Sequence, residues 1–475
     1  MSLVLVLVLP VASQTVTVVQ ENVGTAGPTY YAHQRKIART TTGVLVAAWN
    51  TSSGVGGQVV YSTYDDAFGT WSPAAAISNA ADRALQPALA SDESGNVHAV
   101  WQQRATSTGK YQTWYSKYSS ASWLTPKKIS LNDAEAAEEA TIEVDSRGYL
   151  WVVFNNDGTG VGKEFLFAIK STDGGTTWSA TADTIYTVGT LGSSIEVGRA
   201  ALVAGPDGKM VAVWDNSLTG TMARREVHVS QYDGSAWQPW VMMSDTTTVD
   251  RDHNRYVSAA ADLQGNIYVF HTLGVISGSD PRPRKLLMHK KAWGDPWVLP
   301  EEAVLGSDTI SFLSSSAVCD SDGVIHIAYR RDIKADTLGL DEIVYSFSKD
   351  GGATWATPIV VSRPQHDGGY CSIANRIRKA TGIDILWRES QDVDVGDQAT
   401  TAIVCANIPY SVVTSVEEEA LPVGFDLLAN YPNPFNPSTT IVYDVALRGS
   451  VTLAVYDVLG REVRTLVNEL REAGR

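Results

Sequence analysis

Ser171-Thr-Asp-Gly-Gly-Thr-Thr-Trp178 decides the fold, because the stretch returns as Ser348-Lys-Asp-Gly-Gly-Ala-Thr-Trp355. Each copy follows an apolar run, Phe165 to Ile169 in one case and Ile343 to Phe347 in the other. Runs rich in β-branched and aromatic residues read as strands. Asp173 and Asp350 stand where a carboxylate caps the backbone N–H groups of a turn, and the glycine pair supplies positive φ. Trp178 and Trp355 then open the returning strand. Each copy is a β-hairpin with its own lock.

Weaker copies fill the intervals: Ser62 to Trp71, Ser116 to Trp123, Ser230 to Trp237 and His289 to Trp297. The hairpin tryptophans recur every 52 to 60 residues. A fixed period of that size marks a solenoid or a propeller. The pattern S-x-D-x-G-x-T-W resembles the Asp box of the sialidase and BNR-repeat families. The resemblance implies a β-propeller.

A second turn recurs seven times: Thr40 to Gly43, Asp92 to Gly95, Asp145 to Gly148, Gly205 to Gly208, Asp262 to Gly265, Asp320 to Gly323 and Lys379 to Gly382. After each comes a short apolar run closing on an aromatic: Trp49, Trp101, Phe154, Trp214, Phe270, Tyr329 and Trp387. These runs are apolar on both faces, so both faces are covered. Four antiparallel strands per repeat, set around an axis, make a propeller blade. The last repeat holds only three strands, and Val16–Asn22 is an orphan strand at the other end of the chain. The reading is an all-β, seven-bladed propeller over residues 14–408. Thr401–Ala406 pairs with the orphan strand, closing the ring three-plus-one and removing two sheet edges. The sialidases of the resembled family have six blades, which is the alternative.

The 475-residue chain carries a net charge of −15, which disfavours a phosphate backbone as partner. No stretch after the N-terminus is long and apolar enough to span a membrane. The three cysteines, Cys319, Cys371 and Cys405, include no C-x-x-C pair, which argues against zinc. Cys371 and Cys405 fall in neighbouring strands, either as a disulfide or as buried free thiols.

Leu3 to Val11 is a purely apolar run followed by the small residues Ala12-Ser13, so residues 1–13 read as a secretory signal peptide. Residues 409–424, with Glu417-Glu-Glu419 and Pro422, read as a linker. Asn430-Tyr-Pro-Asn-Pro-Phe-Asn-Pro437 and Tyr456-Asp-Val-Leu-Gly460 follow. These motifs closely resemble the C-terminal sorting module of the type IX secretion system of Bacteroidetes-like bacteria. The resemblance covers residues 425–475 and implies a small β-sandwich, with further strands expected beyond Arg475. It also implies the secretion machinery as a partner, and a secreted or outer-membrane surface location in a Gram-negative bacterium.

In such a meander the two turn families share one face, and the longer, more varied connections share the other. Function concentrates on variable loops. The second strands end there in Asn50, Gln102, Asn155, Asp215, His271, Arg330 and the pair Arg388-Glu389, and Arg255 joins them from a fourth-to-first connection. A ring of polar and aromatic residues around a funnel suits a glycan or another polar ligand; a solvated rim or scaffold without ligand is the other reading. Asp367-Gly-Gly-Tyr-Cys-Ser-Ile373 resembles the sialidase Tyr-Ser-x-Leu segment, which makes Tyr370 the candidate catalytic nucleophile of a sialidase-like glycoside hydrolase. Gln34-Arg-Lys-Ile37 loosely resembles that family's first arginine motif, but the position of another family arginine falls near Leu340, so the arginine triad is incomplete. Asp392, Asp394 and Asp397 alternate near Gly396, loosely like a calcium loop without its bidentate Glu. No other metal or cofactor is expected.

Overall fold

The repeats fold into seven four-stranded blades. The computed structural model describes residues 14–471 apart from 26, 32, 52–55, 80–82, 106–108, 158–163, 188–196, 218–224, 244–251, 276–284, 298–300, 303–309, 334–339, 391–400, 416–425, 428–440, 442, 446–448 and 457–460. Within blades 1 to 6 the strands pair antiparallel in chain order, and in blade 7 the N-terminal strand takes the fourth place. Blade 1 runs Ile37–Arg39, Leu45–Asn50, Val59–Asp65 and Thr70–Trp71. The first strands of blades 2 to 7 are Arg83–Ser91, Ala136–Val144, Val197–Ala204, Asp252–Ala261, Ile310–Cys319 and Asp367–Ile373. Neighbouring first strands pack on one another in a ring, so they line the axis. Among the described residues there are seven blades, not the six of the alternative.

The doubly apolar second strands are explained by what covers them. Leu45–Asn50 is buried at all six positions. Between blades 4 and 5, Val211, Val213, Val227 and Val229 face Val257, Ile267 and Val269 across one sheet-on-sheet core. Blade 7 closes as expected. Thr15–Gln20 pairs with Ala402–Ile408, placing Val16 opposite Ala406 and Val18 opposite Val404. A buried ion pair reinforces the join: Arg39 of blade 1 donates from Nε to Asp384 Oδ2 of blade 7 at 2.6 Å, and from Nη2 to Oδ1 at 3.0 Å.

The Asp boxes are locks in the sense expected. Ser171 Oγ and Thr177 N donate to Asp173 Oδ1 at 2.8 Å each, and Thr177 Oγ1 donates to Oδ2 at 2.6 Å. Asp350 repeats the set with Ser348 and Thr354 at the same distances. Hydrogen bonds led by Thr177 hold the Asp173 carboxyl down to about 2. Gly175 adopts φ 87° and lies against the preceding blade, where a Cβ would meet the Tyr115 hydroxyl at 1.9 Å. Trp178 meets the ring of that Tyr115 edge-on at 5.1 Å, and Trp355 meets Phe270 of blade 5 at 6.1 Å. The box thus pins a hairpin to itself and to its neighbour.

All three cysteines are free thiols, which closes the question of Cys371 and Cys405; Cys371 Sγ faces the Ser314 carbonyl at 3.7 Å. The segment after blade 7 begins docked rather than loose. Tyr410 donates to Asp320 Oδ2 at 2.5 Å, and Val412 and Val413 are buried in the core of blades 6 and 7. Farther on, Gly449–Tyr456 and Glu462–Arg471 form a small two-stranded sheet. No helix among the described residues is long and apolar enough to cross a membrane.

Candidate functional site

Each first strand of blades 2 to 7 carries one extra residue near its variable-face end. The slips fall between Leu85 and Ala88, Glu138 and Thr141, Val197 and Ala200, Arg255 and Ser258, Leu313 and Ser315, and Gly369 and Ser372. Gln86, Glu139, Tyr256, Ser314 and Tyr370 occupy the inserted position with φ of 56°, 51°, 58°, 31° and 46°. Left-handed backbone at non-glycine residues costs ~1–3 kcal/mol each and collects at functional sites. A bulge re-aims a side chain at the rim of a closed sheet. Here the ring of bulges places chosen side chains around the axial mouth, and Tyr370 is one of them.

Blade 1 contributes differently. Between the closing strand and Ile37 the chain crosses the axis and supplies Tyr30, Tyr31, His33 and Gln34. Gln34 is fully buried and donates from Nε2 to the carbonyls of Gln86 at 3.1 Å and Ala140 at 2.8 Å, bridging two bulges. Lys36 Nζ, also fully buried, donates to Gln34 Oε1 at 2.9 Å and Pro87 O at 2.6 Å; burial lowers its pKa well below the ordinary lysine value. With its backbone fastened this way, the crossing sets its tyrosines against Tyr370. Tyr30 meets the Tyr370 ring edge-on at 4.5 Å, and Tyr31 at 6.1 Å. The Arg199 guanidinium lies 3.4 Å over the Tyr31 ring and pairs with Glu139 at 3.2 Å.

The electrostatics keep the acid–base groups neutral. Burial first, then neighbouring Tyr256 and Tyr30, pushes the Tyr370 hydroxyl above the usual phenol range, with Arg330 opposing. Burial, then Arg199 and Lys36, pushes His33 well below the usual imidazole value, and its buried Nε2 has no partner. Burial therefore holds Tyr370 as a hydroxyl and His33 as a neutral imidazole. Aromatic rings, a guanidinium plane and neutral donors are what a sugar ring needs: apolar C–H faces on rings, hydroxyls on polar tips.

The second-strand ends behave otherwise. Asn50 is buried. Gln102 Oε1 accepts from the bulged Glu139 N at 2.9 Å, and Asn155 Nδ2 donates to Glu139 Oε2 at 3.2 Å. These two support Glu139 from behind. Asp215 is spent on Arg225 at 2.8 Å, and His271 on His289 at 3.0 Å, both buried. Glu389 accepts from Arg363 N at 3.0 Å and from Arg363 Nε. Arg330 donates from Nε to Asp341 Oδ2 at 2.6 Å and also from Nη2. Arg388 reaches Asp367 at 3.5 Å, its buried Nε unpartnered, and lies against Gly369, where a Cβ would sit 2.7 Å from Nε. The side chain of Arg255 and the stretch holding Asp392, Asp394 and Asp397 lie outside the described residues. Arg35 pairs with Glu143 at 3.0 Å beside a narrow cavity that His33 also lines.

The structure therefore sets Tyr370 against Tyr30 and Tyr31, supports Glu139 with Gln102 and Asn155, pairs Arg330 with Asp341 and Arg388 with Asp367, and buries Asp215, His271 and Glu389 in pairs of their own. Tyr30, Tyr31, His33, Arg199 and Tyr256 complete the site without having been singled out from sequence. A proline inside a strand, Pro87, and the Gly368-Gly369 pair before Tyr370 were the visible signs of the bulges.

No protein-family model matches the chain, and no curated protein matches it. Solved structures do. A polysaccharide lyase, PL25-Ulvanlyase bound to -[GlcA(1-4)Rha3S]-, aligns with TM-score 0.57 and 12% identity over 84% of this chain and 96% of that one. Polysaccharide lyase Uly1 aligns at 0.52 and 9% identity over 79% and 90%. A Hadza microbial sialidase gives 0.48 and 16% over 77% and 73%. At these identities the likeness is one of fold: the chain is a seven-bladed β-propeller structurally similar to carbohydrate-active proteins.

Proposed function

We propose that the protein is a secreted or cell-surface propeller that binds carbohydrate in the axial funnel of its variable-loop face. One observation carries the reading: three tyrosine rings, Tyr30, Tyr31 and Tyr370, converge under a guanidinium stacked at 3.4 Å, all held by strained or fastened backbone. The similarity in fold to a lyase holding a GlcA- and Rha3S-containing ligand supports a carbohydrate over other polar ligands. Titration calorimetry of the full chain against matched neutral and acidic oligosaccharides tests it. Binding that Tyr370→Ala and Tyr30→Ala weaken, with unchanged melting temperature, is the expected result; binding indifferent to both refutes the site.

A second reading has two observations in its favour. Asp367-Gly-Gly-Tyr-Cys-Ser-Ile373 resembles the sialidase Tyr-Ser-x-Leu segment, and the Arg330 charge opposes the rise of the Tyr370 hydroxyl. A sialidase-like glycoside hydrolase would release reducing ends from the same oligosaccharides, and Tyr370→Phe would abolish the release. We also propose export through the apolar Leu3–Val11 segment and the C-terminal module with Tyr431-Pro-Asn-Pro-Phe435 and Tyr456-Asp-Val-Leu-Gly460. A reporter fusion should reach the medium or surface only in a host with the type IX machinery; equal secretion without it would refute this.

A further inference from the structure

Beside the funnel, at the rim of blade 2, two arginines face each other. Arg83 in the first strand and Arg104 in the second (Val97–Arg104) are direct cross-strand partners. The ring of Tyr111, one residue ahead of the third strand (Gln112–Ser119), receives both guanidinium groups, at 5.9 and 5.0 Å. The Nε of each arginine is buried without a hydrogen-bond partner. Like charges directly opposed across a sheet destabilise it. Elsewhere the chain neutralises such arginines: Arg39 with Asp384, Arg225 with Asp215, Arg330 with Asp341, Arg331 with Glu342, Arg363 with Glu389. Glu138 of blade 3 lies close enough to act on the Tyr111 hydroxyl, one negative charge beside two positive ones. All three side chains keep part of their surface in solvent.

We propose that Arg83 and Arg104 form an oxyanion subsite, with Tyr111 as its platform, for the sulfate or carboxylate of an acidic polysaccharide lying in the axial funnel. The proposal rests on the funnel reading and names the substrate class. Paired guanidinium forks suit an oxyanion, since each presents two parallel donors. The path also fits. Arg83 begins the strand whose bulge at Gln86 faces the axis, so three residues of strand, about 10 Å, separate subsite from funnel.

The test uses the full chain with Arg83→Gln, Arg104→Gln and the double variant. The probes are uncharged, uronate-bearing and sulfated oligosaccharides of equal length, and inorganic sulfate. The double variant should lose about tenfold in affinity for a charged oligosaccharide and nothing for the uncharged one. A larger loss with the sulfated probe marks sulfate as the recognised group, and a larger loss with the uronate marks carboxylate. Sulfate should raise the parent's melting temperature more than chloride at equal ionic strength, and that excess should shrink in the double variant. Without anion, Arg104→Gln should melt no lower than the parent, because a like-charge contact is relieved. Equal losses for charged and uncharged probes, or a sulfate excess that survives the double substitution, would overturn the subsite. If no oligosaccharide binds the parent, the funnel reading falls and the sulfate comparison alone decides the subsite.

Discussion

The two faces of the propeller are made from the same residue types and use them in opposite ways. On the turn face the capping carboxylates, among them Asp92, Asp145, Asp173 and Asp350, accept backbone N–H groups of their own turns. Asp92 and Asp320 each accept a backbone N–H with one oxygen and a histidine with the other, and those histidines, His98 and His326, bond Tyr115 and Tyr345 at 2.8 and 2.7 Å. These Asp–His–Tyr chains look like catalytic relays, yet the same chain stands in both blade 2 and blade 6 and its histidines are buried in core. On the variable face the equivalent groups differ in every blade, several keep unpartnered atoms, and the backbone is strained beneath them. Repetition builds the ring; the departures from it build the proposed site.

The sharpest way to break that division is at the ring's seam. Asp384→Ala leaves Arg39 charged and buried with only the half-exposed Asp66 as counter-charge, and should destabilise the chain by about 3 kcal/mol in denaturant unfolding. Replacing both partners with apolar residues should recover most of the loss, without touching ligand affinity. Next comes a box tryptophan. Trp355→Ala empties a buried site against Phe270 and should cost about 3 kcal/mol by the same assay. Equal costs for a rim residue such as Phe68, which is 79% exposed, would contradict the lock.

On the other face the effect moves from stability to affinity. Tyr370→Ala should weaken oligosaccharide binding about tenfold with little change in melting temperature, a loss of roughly 1.4 kcal/mol. A subtler test uses pH. Burial raises the Asp341 carboxyl to about 6 against the pairing with Arg330. Its folded value lies above the unfolded one, so its contribution to stability is full below pH 3.8 and is lost as pH rises through about 6. Protonation at the same pH releases Arg330, so affinity for an anionic oligosaccharide should rise a few-fold as pH falls through about 6. Asp341→Asn should flatten that profile.

Much of this was legible in the chain because turn chemistry is local. Asp173, Gly174 and Gly175 encode their hairpin within five residues, and the second turn, which recurs seven times, counts the blades. The orphan strand followed from the missing one. The funnel was not legible for an equally physical reason. A one-residue slip in a strand reverses which side chains face the axis, and nothing adjacent to Glu139 or Tyr256 announces it. Asp215, His271 and Glu389 read as site residues because they end strands on the variable face, but their partners, Arg225, His289 and Arg363, lie 10, 18 and 26 residues away. Tyr30 and Tyr31 sit in a crossing segment with no repeat to compare.

The most direct test is one calorimetric series with an acidic oligosaccharide on the parent, Tyr370→Ala and Asp173→Ala. Asp173 carries the box hydrogen bonds on the opposite face, so its loss should lower the melting temperature and leave the dissociation constant unchanged, while Tyr370→Ala does the reverse. Affinity lost at Asp173 and kept at Tyr370 would place the ligand on the turn face and contradict the account.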